Sequence, residues 1–349
     1  MRRFLVLIGI VGLACVLIGG LGGFAMFWFR REEQPVIVWE LDNINSALFL
    51  RNDLLAVADD RQTTFRRFPD NQVLQTLPVG GYLALHPDRT LLAIGSWGTV
   101  WLYDPVSGER QATFNCWPRG EHVYPMSLAF SPDGSILAVS EFHHSRGQEV
   151  QLWDVMNQRQ IDSILLADPD AATIIALAFS PDGKHLVVGT DASVWLVDVA
   201  QRTVSRQIQP RPSGSIAFSP DGSRLVLGGK FIHVYDTATW QLAYRISFPG
   251  EKEERSPQEF IAARKMPVAI SPDGRWLATP NRPPPGDSFS FFEPGPPRQT
   301  IALRNPADGR RKRILSGSPI RLNILMFSPD GEWLLDVGLS DVRAWRVEN

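Results

Sequence analysis

Five aspartates recur in one local setting. Asp133, Asp182, Asp221, Asp273 and Asp330 each lie in a Ser-Pro-Asp-Gly, at Ser131–Gly134, Ser180–Gly183, Ser219–Gly222, Ser271–Gly274 and Ser328–Gly331. Carboxylates gathered in a cleft can move protons or hold a divalent cation. The flanking residues argue for another role. Each copy follows an apolar pair (Ala129-Phe130, Ala178-Phe179, Ala217-Phe218, Ala269-Ile270, Met326-Phe327) and precedes a further apolar run. Pro pre-sets one backbone angle and Gly accepts a positive φ, so Pro-Asp-Gly between two hydrophobic runs is a tight hairpin turn. These aspartates are expected as turn residues rather than as an acid array.

The remaining chemistry-bearing residues are sparse. His143 and His144 could ligate a metal, but neighbours in an extended segment rarely converge, and no Cys or acid pair at ligand spacing accompanies them. Asp191, just before the alternating run Val194–Asp198, reads as a turn residue rather than an acid catalyst. No phosphate-cradling glycine loop, nucleophile elbow or metal-binding helix motif occurs. The expectation is a protein with no catalytic residue, no metal and no cofactor.

The turns must be positioned by repeated elements. Two degenerate relatives lie upstream, Ala84–Arg89 before Leu91–Gly95 and Leu48–Asp53 before Leu54–Val57, which makes seven units. After each turn comes a short apolar strand, then an alternating strand: Val100–Asp104, Val150–Asp154, Val194–Asp198, Ile232–Asp236, Ile301–Asn305 and Val342–Arg346, with a weaker Thr64–Phe68 first. A polar turn and a fourth strand follow, such as Gln160–Leu165 or Leu242–Phe248. Four short antiparallel strands per period of about 40–45 residues is the pattern of a propeller blade.

From about Val36 onward the chain resembles a WD-repeat β-propeller, of the bacterial type with Phe-Ser-Pro-Asp-Gly turns. Trp153-Asp154 matches the dipeptide that names the repeat. Tyr103-Asp104, Val197-Asp198 and Tyr235-Asp236 are near variants, and Arg304-Asn305 and Trp345-Arg346 depart further. The Gly-His pair of the typical repeat is missing throughout, so its buried His-Asp network is not carried over. The implied fold is all-β, a seven-bladed propeller of four-stranded antiparallel blades over residues 32–349. The last unit stops after its third strand. The spare strand Val36–Leu41 is expected to supply the fourth and close the ring, which removes two sheet edges.

Ahead of it, Phe4–Phe29 contains no charged residue and is bracketed by Arg2-Arg3 and Arg30-Arg31. About 20 apolar residues span a bilayer as a helix, so residues 1–31 are expected to form a retained transmembrane anchor, with Trp28 and the arginines at the interface. A signal peptide cleaved near Gly23-Phe24-Ala25 fits less well, because the apolar run is long and continues past that site. A lipoprotein reading of Leu13-Ala14-Cys15 fails similarly, with Gly12 where a large apolar residue is needed. The flanking arginines nearly balance. The short leading tail is easily kept in the cytosol, so the propeller is expected outside the cytoplasm. Gly19 and Gly23 would let two such helices pack together, though chance in a glycine-rich span explains them equally well.

The balance of the chain excludes some partners. A net charge of -2 over 349 residues offers no electrostatic footprint for nucleic acid. The two cysteines, Cys15 and Cys116, make no disulfide framework. Binding residues concentrate on long loops of a rigid scaffold. In this topology the long connections Cys116–Tyr124, Glu141–Glu149, Ala167–Ala172, Gly250–Lys265 and Asn281–Gln299 all fall on the face opposite the Ser-Pro-Asp-Gly turns. In Asn281–Gln299 six prolines stiffen the loop, and Phe289, Phe291 and Phe292 would anchor a partner. The same rings would serve equally as a strap folded over the propeller channel. Glu251–Arg255, with Glu251 and Arg255 as candidate contacts, is a mixed charge run that reads as a solvated loop or a partner contact. The expected function is a membrane-anchored, non-enzymatic scaffold for a protein partner. The alternative is small-molecule or glycan binding, or hydrolysis, at the channel mouth.

Overall fold

The chain divides into residues 1–31 and 32–349. The computed structural model describes residues 33–41, 43–116, 124–142, 148–166, 173–208, 214–229, 231–247, 266–281, 299–318, 324–338 and 340–347. The expected membrane helix therefore lies outside the described residues. Among the described residues no helix is long and apolar enough to cross a membrane.

Those residues form seven four-stranded antiparallel sheets. Blades one to six take residues 46–77, 82–115, 124–166, 174–208, 215–246 and 269–318 in order, each a simple up-and-down meander. Blade seven combines Ile324–Phe327, Trp333–Val337 and Asp341–Arg346 with the strand Ile37–Glu40 from the other end of the chain. That strand pairs antiparallel with the third strand of the blade, Ile37 opposite Ala344 and Glu40 opposite Asp341. Innermost strands touch their neighbours all the way round, the first blade's meeting both the second's and the seventh's.

The core is not one mass but seven slabs, each an apolar cluster shared by two adjacent blades. A strand inside a blade is thus covered on both sides. This explains why second strands such as Leu54–Ala58 are buried at every position rather than alternating. Outermost strands face solvent, and Gln241–Ile246 buries only its last residue fully. Each Leu or Val sealed in a slab contributes roughly 1.5–3 kcal/mol.

Serines add a second tie between blades. Ser46, Ser127 and Ser215 hold the same position in the inner strands of blades one, three and five. Their hydroxyls accept the backbone N–H of Leu83, Leu177 and Val268 in blades two, four and six, at 3.2, 3.0 and 3.2 Å. At that position blades two, four, six and seven carry Tyr82, Ala176, Pro267 and Ile324, so the tie alternates round the ring.

Candidate functional site

At one end of the ring every Ser-Pro-Asp-Gly forms the same closed device. In the Ser131 turn the Gly134 N–H donates to Ser131 O at 2.8 Å, the Ser131 hydroxyl donates to Asp133 Oδ1 at 2.5 Å, and Asp133 Oδ1 accepts the Ser135 N–H at 3.0 Å. The Ser131 oxygen also accepts the Ile136 N–H at 2.9 Å. The same hydroxyl-to-carboxylate bond recurs at Asp182, Asp221, Asp273 and Asp330. The Ser131, Ser180 and Ser219 hydroxyls are foremost in holding the carboxyls of Asp133, Asp182 and Asp221 below the usual range, helped by backbone N–H donors. Such carboxyls are ionised acceptors, spent on their own turns, and cannot act as proton donors near neutral pH. The turn role expected from sequence is the one they have.

The turns also bind one another. The glycines of blades four to seven have φ near +72° to +75°, and a Cβ at each would meet a proline of the preceding turn (Pro132, Pro181, Pro220 or Pro272) at 3.6–3.8 Å. Blade two departs from the motif, with His86 in place of Ser and Arg89 in place of Gly. Both departures tie neighbouring blades: Arg89 Nη1 donates to Leu50 O at 2.8 Å, and His86 Nε2 lies 3.2 Å from Gly134 O. The Asp330 N–H donates to Asn52 Oδ1 at 3.1 Å across the seam between blades seven and one. The seven turns form a continuous collar.

The acid after the third strand serves the next hairpin in the same way. Asp104, Asp154, Asp198 and Asp236 accept the N–H of Val106, Asn157, Gln201 and Thr239 at 2.7–3.1 Å, and Asn305 accepts that of Ala307 at 2.9 Å. Trp153, by contrast, works in the slab. It stacks on Phe114 at 5.0 Å and donates to Gln151 Oε1 at 3.0 Å, while Gln151 reaches Cys116 O at 2.8 Å. The Cys116 thiol is buried and donates to Phe114 O at 3.7 Å.

The opposite end is built differently. Phe289, Phe291, Phe292, Glu251 and Arg255, as well as His143 and His144, lie outside the described residues. One of the expected loops is shorter than the sequence spacing suggested, because the strands Ile136–Phe142 and Gln148–Asp154 extend into Glu141–Glu149 from both sides. The stem of the proline-rich connection is pinned: Asn281 N–H donates to Thr300 O at 2.8 Å and its side-chain amide to Thr300 Oγ1 at 2.9 Å. Where the charged connection returns, a Cβ on Gly228 would lie 2.0 Å from Met266 O, so the two backbones meet directly. Asp191 Oδ1 accepts the Thr173 N–H at 3.1 Å and ties its turn to the start of blade four's inner strand. Among the described residues no group of three or more His, Cys, Asp or Glu could hold a metal ion.

Sequence reasoning missed one residue at this end. Trp97 is 62 % exposed and has φ +50°, in a two-residue turn with Gly98 between Leu92–Ser96 and Thr99–Tyr103. Turns with positive φ at both central residues favour Asn or Gly, so a bulky indole there is costly. A residue followed by Gly between two apolar runs was the available signal.

The WD domain, G-beta repeat family matches at residues 108–154 and 166–198. The chain is 26 % identical over 231 residues to Protein HIR1 of Cryptococcus neoformans, covering 57 % of this chain and 24 % of that protein. It is 29 % identical over 139 residues to WD repeat-containing protein VIP3 of Arabidopsis thaliana, covering 36 % of this chain and 41 % of that protein. The two stretches that match WD repeats thus lie within a seven-bladed ring, and the chain spans less than half the length of either relative.

Proposed function

We propose that this chain is a membrane-held WD-repeat propeller that binds a protein partner, without catalysing a reaction, through the end of the ring opposite the Ser-Pro-Asp-Gly collar. The observation that carries this is the contrast between the two ends. At the collar the recurrent carboxylates are spent on turns. At the other end Trp97 is held out in a costly conformation, and the two long connections, 247–268 and 281–298, leave from pinned stems. Trp is the residue type most enriched where binding energy concentrates. The likeness to WD-repeat proteins supports the same reading, since propellers with these repeats serve generally as protein-interaction scaffolds.

The charge-free Phe4–Phe29 supports attachment to a membrane by a single helix, with the propeller on the extracytoplasmic side. Alkaline carbonate extraction tests the anchor: the chain stays with the membrane pellet, and release into the supernatant overturns it. Proximity crosslinking in intact membranes tests the binding face. It compares the full chain with Trp97→Ala and with a variant whose residues 282–298 are replaced by a short Gly-Ser link. A partner lost with either variant while the cooperative melt is kept supports the face. A partner retained by both variants, or none with the full chain, overturns it.

A further inference from the structure

Blade six gathers cations at the start of its outer strand. Its fourth strand, Arg311–Ser318, is preceded by Arg310, so that Arg310, Arg311, Lys312 and Arg313 follow in succession. The equivalent turns of blades two, three and four contribute one cation each, Arg110, Arg159 and Arg202. Arg310, Arg311 and Lys312 are exposed. Arg310 pairs with Asp308 at 3.5 Å, Arg311 donates to the neutral Asn281 side chain at 3.1 Å, and Lys312 has no acidic partner among the described residues. The blade has also lost an anion. Where blades two to five cap this hairpin with an aspartate, blade six uses Asn305, which keeps the bond to the turn and drops the charge.

The same strand receives the entering chain. Glu33 bridges in parallel to Leu315: its N–H donates to Ile314 O at 3.3 Å, and its carbonyl accepts the Ser316 N–H at 2.8 Å. Arg313 clamps the Glu33 carboxylate with two bonds, Nε at 3.0 Å and Nη2 at 2.5 Å. Only Arg30, Arg31 and Glu32 separate Glu33 from Phe29, the end of the apolar segment. At about 3.6 Å per extended residue, that end cannot be more than about 14 Å from Glu33. If Phe4–Phe29 lies in a bilayer, blade six's outer strand is held within reach of the headgroups.

We infer that the exposed run Arg310–Lys312 on the outer strand of blade six is a contact surface for anionic phospholipid headgroups beside the point where the chain enters the propeller. The inference rests on the anchor reading above. Cations held near a charged lipid surface gain from its negative potential, and the gain falls within a Debye length.

The full chain reconstituted in nanodiscs, with and without anionic phospholipid, tests this through amine-reactive labelling of single lysines read by mass spectrometry. Lys184, on blade four and 76 % exposed, is the internal reference. The expected result is several-fold slower labelling of Lys312 in anionic discs, with Lys184 unchanged. That protection should disappear at high salt and in the Arg310→Gln/Arg311→Gln variant. Equal labelling of Lys312 in both lipids, with the chain retained on carbonate extraction, overturns the patch and leaves the anchor standing. Release by carbonate overturns the anchor and removes the premise. Protection that persists in zwitterionic discs and follows a co-purifying protein would put an acidic protein on the strand and overturn the lipid assignment.

Discussion

His86 occupies the space that a side chain at residue 134 would need: a Cβ on Gly134 would lie 1.9 Å from His86 Nε2. The ring cannot easily retreat. Its Nδ1 lies 2.5 Å from Asp88 Oδ1, and it packs edge-on against Phe130 with centroids 5.1 Å apart. The collar therefore has one joint where histidine and glycine are matched, among joints where a proline meets a glycine with ordinary clearance.

Gly134→Ala and Gly183→Ala separate backbone strain from this packing. Both glycines have nearly the same φ, +74° and +72°. Each substitution should cost about 1–2 kcal/mol for placing a side chain in the left-handed region. Only at Gly134 must a neighbour also move, because the nearest atom to a Cβ at Gly183 is Pro132 Cδ at 3.8 Å. Gly134→Ala should cost roughly 1–3 kcal/mol more, as overpacking does. Denaturant midpoints measure the difference, and equal losses would show that the His86 contact is soft.

His233 sets a stability change on the mild acid side. It is 7 % exposed, and burial, with the Arg245 charge second, lowers its pKa to about 4. The unfolded chain takes up this proton near pH 6.5 and the folded chain only near 4. Between those values the unfolded state binds more protons, so stability is full above about 6.5 and declines as pH falls to 4. At 1.36 kcal/mol per unit the loss is about 3 kcal/mol. His233→Gln should be flat over that window, and a decline as steep as that of the unaltered protein would assign the effect elsewhere.

A second window opens below it. Burial pushes the Asp273 carboxyl up, but the Ser271 hydroxyl and the Arg275 N–H and guanidinium outweigh it and hold it at about 2. A depressed carboxylate stabilises the fold above its unfolded pKa near 3.9, and the contribution disappears as pH falls through 2. Asp273→Asn should therefore melt below the unaltered protein at neutral pH, with the gap closing between pH 4 and 2. Parallel melting curves across that range would mean that the charge contributes nothing to the turn.

The architecture was legible because its signal is local and repeated. Each Ser-Pro-Asp-Gly contains its own bonds within five residues, so the sequence pattern and the turn are the same object. Even blade six, whose Arg304-Asn305 departs from the acid pattern, keeps the cap through Asn305. What tied the blades together was not legible. The serine ties of Ser46, Ser127 and Ser215 join residues 37 to 53 apart, and no spacing marks a small polar residue in an inner strand as a donor's partner. The exchange of Ser and Gly for His86 and Arg89 looked like decay of the motif, because their partners lie in neighbouring blades. The expected partner-binding residues sit in connections outside the described part, whereas Trp97, in a short turn, carried no length signal at all.

The seam between blades six and seven offers the sharpest test of which contacts hold the ring shut. Trp345 is 1 % exposed, and its indole N–H is shared by Glu33 O and Ser316 O at 3.2 Å each. Arg313 also holds Glu33, but through side chains that are 22 % and 40 % exposed. Burial should decide between them. Trp345→Phe keeps most of the ring volume and takes the indole donor from both carbonyls, of which Glu33 O keeps the Ser316 N–H at 2.8 Å, and this should cost about 1–3 kcal/mol. Arg313→Gln removes a partly solvated pair and should cost no more than about 1 kcal/mol. Amide exchange adds a local readout, because the Ser316 N–H that donates to Glu33 O should exchange faster in Trp345→Phe and stay protected in Arg313→Gln. If the arginine variant loses as much stability and protection as the tryptophan variant, the entering chain is held by charge, and the buried indole only fills space.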